Sequence, residues 1–266
     1  MISGEYRTFG ICRKTMKFLD DPRADIYVST WNRTFYKNTK LNLDKVEEVN
    51  RLLVESHLGK RASIRIDPYH IFDNTLKYNS NMIFRWKAGF ELIKNSRIKY
   101  DYVLVVRPDL FFNTSWPLSL DSILQYTDTI GSVWKTHPTK LNDVLFVSSY
   151  ATMENLFNDL TVDVWNKAEE GDWHVWWHEF CAARSTSIEG IADYDYCSFG
   201  RYFITDESDG AGAEQAALDW RDINLLAHVD KNGMECLVWP GSWSLAVYQT
   251  AKDKWDSGYF NKYMNA

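Results

Sequence analysis

The sequence is short of the signals that most directly announce a function. Positive charge is not in excess: the formal net charge is −6 over 266 residues, whereas a general nucleic-acid binder shows a basic face. The four cysteines, Cys12, Cys181, Cys197 and Cys236, have no spacing that suggests a zinc knuckle or a redox pair. Reduced thiols in a cytoplasmic protein are the expectation. No early segment has the basic, apolar, small-residue order of a signal peptide, and no apolar run approaches the roughly 20 residues that span a bilayer. The sequons at Asn32 and Asn113 are therefore read as accidental. There is no Gly-x-Ser-x-Gly elbow, no Walker loop and no Gly-x-Gly-x-x-Gly after the first strand, which removes the commonest hydrolase, kinase and dehydrogenase readings.

Aromatic residues, by contrast, are plentiful: 12 Trp, 15 Tyr and 14 Phe. Exposed rings stack on sugars and nucleobases, while buried ones pack a core, and both uses stand open at this point. A hydrophobic content of 45% and a charged content of 25% are ordinary for a globular protein. No internal repeat or low-complexity linker divides the chain, so one domain over residues 1–266 is expected.

The pattern predicts alternating strands and helices. A short strand precedes Gly4, and helical character follows over Lys14–Leu19. Asp25–Thr30 reads as a second strand. Leu43–Leu58 reads as a helix with Val46, Val49, Leu52 and Leu53 on period, stopped by Gly59. Ser63–Ile66 reads as a strand and Asn79–Ile93 as an amphipathic helix. Tyr102–Val106 is an unbroken β-branched and aromatic run of the kind buried on both faces of a parallel sheet. Thr129–Trp134 and Val144–Ser148 are strand-like, Ala151–Leu160 suits a helix, Gly171–Arg184 reads as a loop turning into a helix, and Asp206–Gly212 as a turn-rich loop. Such alternation predicts an α/β fold with a mixed, mainly parallel sheet flanked by helices.

Charge appears where the Tyr102 strand stops. Arg107 and Asp109 are two apart around Pro108, which removes a ladder donor. In open α/β sheets ligands bind beyond the carboxyl ends of the strands. A carboxylate there can hold a hard divalent cation, and a guanidinium can grip phosphate; equally, the two can form a salt bridge that tidies a strand end. Gly4 and Arg7, before a helix, resemble a β-loop-α turn that lets a ligand approach the backbone, with an ordinary turn as the alternative. Asp143 and Glu179 are further carboxylates near the expected crevice, each of which could instead be a cap or a solvated charge. His174 and His178 have a spacing that zinc sites use. The metalloprotease order, however, places the glutamate directly after the first histidine, and here Glu179 follows the second. A substrate wall or simple packing is the better reading of that pair.

The hydrophobic strand closing on Arg107-Pro108-Asp109-Leu110 resembles the metal-motif position of glycosyltransferases with the GT-A (Rossmann-like) fold, particularly small viral, phage and bacterial members that carry Arg-x-Asp there. The Ser3–Phe9 opening, the Asp25–Trp31 strand, Asn142-Asp143-Val144 and His178-Glu179 resemble the same group, over about residues 2–191. The resemblance implies a glycosyltransferase that moves a sugar from a nucleotide-diphosphate sugar to a glycan or other hydroxyl acceptor. Gly4, Arg7 and Arg107 would meet the nucleotide diphosphate, Asp109 would hold Mn²⁺ or Mg²⁺, and Glu179 or Asp143 would act as the base. Residues 1–113 would be the nucleotide-sugar half and 114–266 the acceptor half, in the cytoplasm, or the host cytoplasm of a virus. Arg107 replaces the first acid of the usual Asp-x-Asp, so metal dependence is expected to be weak. The rival expectations are a non-catalytic carbohydrate-binding protein and a metal-dependent nucleotide-sugar hydrolase.

Overall fold

The computed structural model describes residues 1–6, 9–38, 43–69, 78–112, 119–123, 128–132, 141, 143–161, 164, 172–190, 197–199, 226 and 245–259. The expectations placed on Arg7, Asn142 and Asp206–Gly212 lie outside those residues.

Seven strands form the central sheet: β1 (Ile2–Ser3), β2 (Ile26–Trp31), β5 (Ala62–Asp67), β6 (Tyr102–Val106), β8 (Thr129–Ser132), β9 (Leu145–Ser149) and β10 (Ser187–Gly190), in the spatial order β10-β8-β9-β6-β1-β2-β5. β1 pairs in parallel with both β2 and β6, and β2 with β5. β9 runs antiparallel to β6 and to β8, while β10 is parallel to β8. The fold is therefore α/β with a mixed, mainly parallel sheet, as the alternation predicts. β3 (Arg33–Asn38) and β4 (Leu43–Glu48) form a separate antiparallel pair, as do β7 (Leu110–Phe112) and β11 (Cys197–Phe199).

Both faces of the sheet are covered, and the two-residue period of the strands sorts their side chains between them. On one side Ile2, Val28, Val106 and Leu145 pack with Phe9 of α1 (Phe9–Cys12) and with Val54 and Leu58 of α2 (Arg51–Leu58). On the other, Val103, Val105 and Phe146 pack against α3 (Tyr78–Ser96), α5 (Tyr150–Asp159) and α6 (Trp173–Ala182); α4 (Leu120–Ile123) and α7 (Leu245–Asp256) are the other described α-helices. Aromatic rings among the described residues gather in this second layer. Trp86 of α3 lies 4.8 Å from Trp177 and 5.0 Å from Phe146, centroid to centroid. Trp173 and Trp177 stack at 5.9 Å, and all three tryptophans are buried.

The helix expected over Leu43–Leu58 is a correction. Its first part is strand β4, paired residue for residue with β3, and the helix begins only at Arg51. Asn50 marks the true start by accepting the Leu53 N–H on its side chain at 3.0 Å, as an N-cap does. Helical periodicity across the junction was a coincidence of Val46 and Val49, overridden by a cross-strand partner that local pattern cannot reveal. The helical character around Lys14–Leu19 is realised as two short 3₁₀ turns, Arg13–Thr15 and Lys17–Asp20.

Trp86 is fully buried at the centre of the α3–sheet layer. Trp86→Ala is expected to cost about 3–5 kcal/mol in urea unfolding, whereas truncation of the exposed Leu52 should stay within about 0.5 kcal/mol. Equal midpoints for the two variants would contradict this layering.

Candidate functional site at the carboxyl edge of the sheet

β1, β2, β5 and β6 run the same way, so Ser3, Trp31, Asp67 and Val106 end on one edge. The chain leaves β1 through Gly4, whose amide donates to the Ser29 carbonyl at 3.1 Å and whose φ is +132°. A Cβ at Gly4 would sit 3.4 Å from Pro108 Cδ. Glycine is required here for that backbone conformation, while a Cβ would make only an ordinary contact with the Arg107-Pro108-Asp109 turn.

β6 and β9 continue their ladder one step past Val106, with the Arg107 amide donating to the Val144 carbonyl at 2.9 Å. Because β9 is the reversed strand, Asp143 arrives at the same edge, 7% exposed. The Arg107 guanidinium then folds onto Asp109: Nε donates to Oδ1 at 3.0 Å and Nη2 to Oδ2 at 2.9 Å. The carboxylate is 1% exposed and the guanidinium side chain 11%. Fork-on-fork geometry of this kind fixes orientation as well as charge. It is also why the pair presents itself in one sense: Arg107 lines the adjoining cleft, with Asp109 behind it.

That cleft, about 70 Å³, lies between the sheet edge and the first half of α3, walled by Ser3, Gly4, Trp31, Asn81, Arg85 and Arg107. Arg85 braces it. Although 1% exposed, its guanidinium donates through Nη1 to the Thr30 carbonyl at 2.6 Å and through Nη2 to the Asp67 carboxylate, and lies 3.9 Å above the Trp31 ring. One side chain from α3 thus ties together the ends of β2 and β5. Burial pulls Arg85 down to about 10, still far above neutrality. Burial alone would raise Asp67, but the Arg85 and Arg65 guanidinium groups outweigh it and hold the carboxyl below its ordinary value. A larger cavity, about 430 Å³, sits at the opposite edge around Asp25, Tyr27, Tyr100 and Leu104, where the strands begin. It contains none of the residues singled out from the sequence.

The structure therefore brings Gly4, Arg107, Asp109 and Asp143 to one edge. Glu179 is not with them. The first turn of α6 is anchored beside Leu141, whose amide donates to the His174 carbonyl at 3.1 Å, and the helix then leads away towards the start of β10. Glu179 is exposed on its second half. His174 Nδ1 is 3.1 Å from the Leu141 carbonyl oxygen, a structural anchor. Arg85, Asp67 and Asn81 escaped sequence reasoning. Asp67-Pro68 carries the same strand-ending signal as Arg107-Pro108, and it was legible only as a stop.

A hard cation bound with a nucleotide takes one or two protein carboxylates and fills its shell with phosphate oxygens and water. Asp109, expected to supply such a carboxylate, accepts from Arg107 on both oxygens, is 1% exposed and stands behind Arg107 rather than on the cleft wall; to hold a cation it would have to turn out of that fork. Among the described residues, no three His, Cys, Asp or Glu side chains are grouped so as to hold a metal, and no helix is long and apolar enough to cross a membrane. The chain matches no protein-family model, and no curated protein matches it.

The loop after Gly4 is pinned by His57 of α2. The Tyr6 hydroxyl is 3.3 Å from His57 Nδ1, and the two rings stack at 5.8 Å. Burial, and the nearby Arg13 cation, hold His57 below its ordinary value. The unfolded chain therefore takes up the imidazole proton first. The stabilisation is complete above the unfolded value of about 6.5 and is lost as pH falls through it towards the folded value. Urea unfolding across pH 7.5 to 5 should show a decline that is reduced by up to one proton in His57→Phe; an unchanged slope would show that His57 does not titrate between the two states.

Proposed function

We propose that this chain is a glycosyltransferase of GT-A-like fold that moves a sugar from a nucleotide-diphosphate sugar to a glycan or other hydroxyl acceptor. The observation that carries this reading is the Arg107 guanidinium, held by both oxygens of Asp109 at the lip of a cleft on the carboxyl edge of a mainly parallel sheet. Topology favours a ligand at that edge, and a preset guanidinium suits a diphosphate. In the transfer, the bond between the anomeric carbon and the diphosphate oxygen breaks, and the electron pair leaves with the diphosphate. Arg107, already oriented, meets the charge that builds there, so little reorganisation is needed during the reaction. Mn²⁺ or Mg²⁺ arriving with the diphosphate would add Lewis-acid neutralisation of the same charge, and Asp109 would hold it on turning out of the Arg107 fork.

The acceptor oxygen forms the new bond to the anomeric carbon and gives up its proton. Of the two carboxylates expected as base, Asp143 is the one at the edge, while Glu179 faces solvent along α6. The base role is therefore assigned to Asp143, in a direct displacement. Residues 1–113 supply the donor half in this reading, and 114–266 the acceptor half. A carbohydrate-binding protein without activity would need open aromatic platforms. Among the described residues the Trp86, Trp173 and Trp177 group is buried, whereas Trp255 and Tyr259 are exposed, so burial removes only part of the aromatic surface which that rival would use.

The test is a panel of UDP-, GDP- and TDP-sugars, with and without Mn²⁺, read by donor hydrolysis and thermal shift. At least one donor should respond, and Arg107→Ala should lower its turnover about 100-fold or more. No response to any donor, with or without metal, would overturn the proposal. In a transfer assay Asp143→Asn should fall by a comparable factor while Glu179→Gln stays near wild type; the reverse order would move the base to α6.

A further inference from the structure

The cavity of about 430 Å³ where the strands begin has a shape that the sheet accounts for. β1 stands between β2 and β6 but pairs with them only through Ile2 and Ser3. Ahead of those contacts the flanking strands already run, residues 26–27 on one side and 102–104 on the other, and among the described residues they do not pair with each other. Neighbouring strands lie about 4.8 Å apart, so two strands on either side of a third stand roughly 10 Å apart. Met1, Asp25, Tyr27, Tyr102, Val103 and Leu104 line the cavity, which is therefore a slot on the line of β1, as wide as one strand.

Each residue of a strand turns its N–H and C=O to the same neighbour, and successive residues alternate. The Leu104 carbonyl accepts from the Met1 amino group at 2.6 Å, and the Val106 amide donates to the Met1 carbonyl at 2.9 Å, so Leu104 faces the line of β1. On β2 the Ser29 carbonyl takes the Gly4 amide, so Tyr27 faces it too. The Leu104 and Tyr27 amides are thereby aimed into the slot from opposite walls, with no described strand beside them there, and buried backbone groups call for partners. Both faces of the slot are apolar: Phe18, Leu19 and Val147 belong to one core layer, Ile93 and Val103 to the other.

We propose that this slot docks a separate extended peptide as an added strand, parallel to β2 and β6, with Val or Ile side chains turned to both faces. Residues 102–104 border it on β6, and at about 3.3 Å per residue they set an inserted run of about three residues. A parallel strand has its amino end at the outer mouth. There the exposed Asp25 and Asp101 lie beside Lys99, while Arg23 is taken by Asp21 and Asp121. A lysine ahead of the apolar run is favoured by that charge.

The experiment is hydrogen exchange of the full chain with and without the end-blocked peptide Lys-Val-Ile-Val-Lys, read on the fragments that span β2 and β6. At saturation the Tyr27 and Leu104 amides should exchange at least about 10-fold more slowly. Proline in place of the central isoleucine removes a ladder donor and should weaken binding at least about 10-fold. Leu120 lines the slot and is half-buried; Leu120→Glu puts a charge on that apolar wall and should weaken the peptide by a similar factor. The proline peptide needs no protein variant, so that comparison stands should Leu120→Glu fold poorly. Absence of protection at about 1 mM peptide, equal binding of the proline peptide, or protection confined to other strands would each overturn the proposal. Displacement of the dye anilinonaphthalene sulfonate with both amides left unprotected would overturn it as well, because the cavity would then take apolar molecules without adding a strand.

Discussion

Four strands that run in the same direction must deliver their chain ends to the same edge, and most of what can be said about function follows from that constraint. β1, β2, β5 and β6 are parallel, so the exits after Ser3, Trp31, Asp67 and Val106 converge. Backbone groups at such an edge have lost their ladder partners. They are met here by Ser29 for Gly4, by Asp67 for the Asn32 amide, and by Val144 for Arg107. The reversed strand β9 adds its beginning to the same edge and so brings Asp143 there. A sheet of antiparallel neighbours throughout would have divided these residues between opposite ends.

Arg85 and Arg107 are each held at that edge by a carboxylate, and Asp67 takes Arg65 as well as Arg85. Arg85 is bound by Asp67 and the Thr30 carbonyl, and Arg107 by both oxygens of Asp109. A buried ion pair gains little net stability, because the desolvation of both partners offsets most of the Coulomb attraction; losing one partner, however, costs about 3–5 kcal/mol. The value of such pairs is positional. Arg85 fixes the distance between α3 and two strand ends, which sets the width of the cleft, and Arg107 faces that cleft with its geometry already chosen. Beside Asp109, where a second carboxylate would need a cation to be tolerated, the Arg107 guanidinium brings positive charge covalently.

Much of the fold was legible in the sequence because the relevant signals are local. The β-branched run at Tyr102–Val106 and the apolar period over Asn79–Ile93 both became the elements they suggest, and Pro108 ended β6. The β3–β4 pair was missed because its determinant is a partner strand rather than a period. At the site, Gly4, Arg107, Asp109 and Asp143 were found from strand-end chemistry. The inward turn of Asp109 was not, since sequence spacing puts Arg107 and Asp109 on one side but cannot tell which of them covers the other. Arg85 stayed hidden for a related reason: a basic residue on an amphipathic helix ordinarily faces solvent, and only the tertiary placement of Asp67 and Trp31 makes its burial tolerable.

The aromatic surplus has its own logic, and it bears on where a ligand can go. On α6, Trp173, Trp176, Trp177 and Phe180 recur at helical spacings of three and four, and successive rings stack, with centroids 5.1 Å apart for Trp173–Trp176 and for Trp176–Phe180. Such a stripe is what a helix needs to seat against a sheet already lined by Phe146 and a helix already carrying Trp86. Rings committed to that seam cannot also stack on a saccharide. The cleft at the carboxyl edge draws on other residues, with Trp31 and Tyr69 beside guanidinium groups, a carboxamide and a hydroxyl.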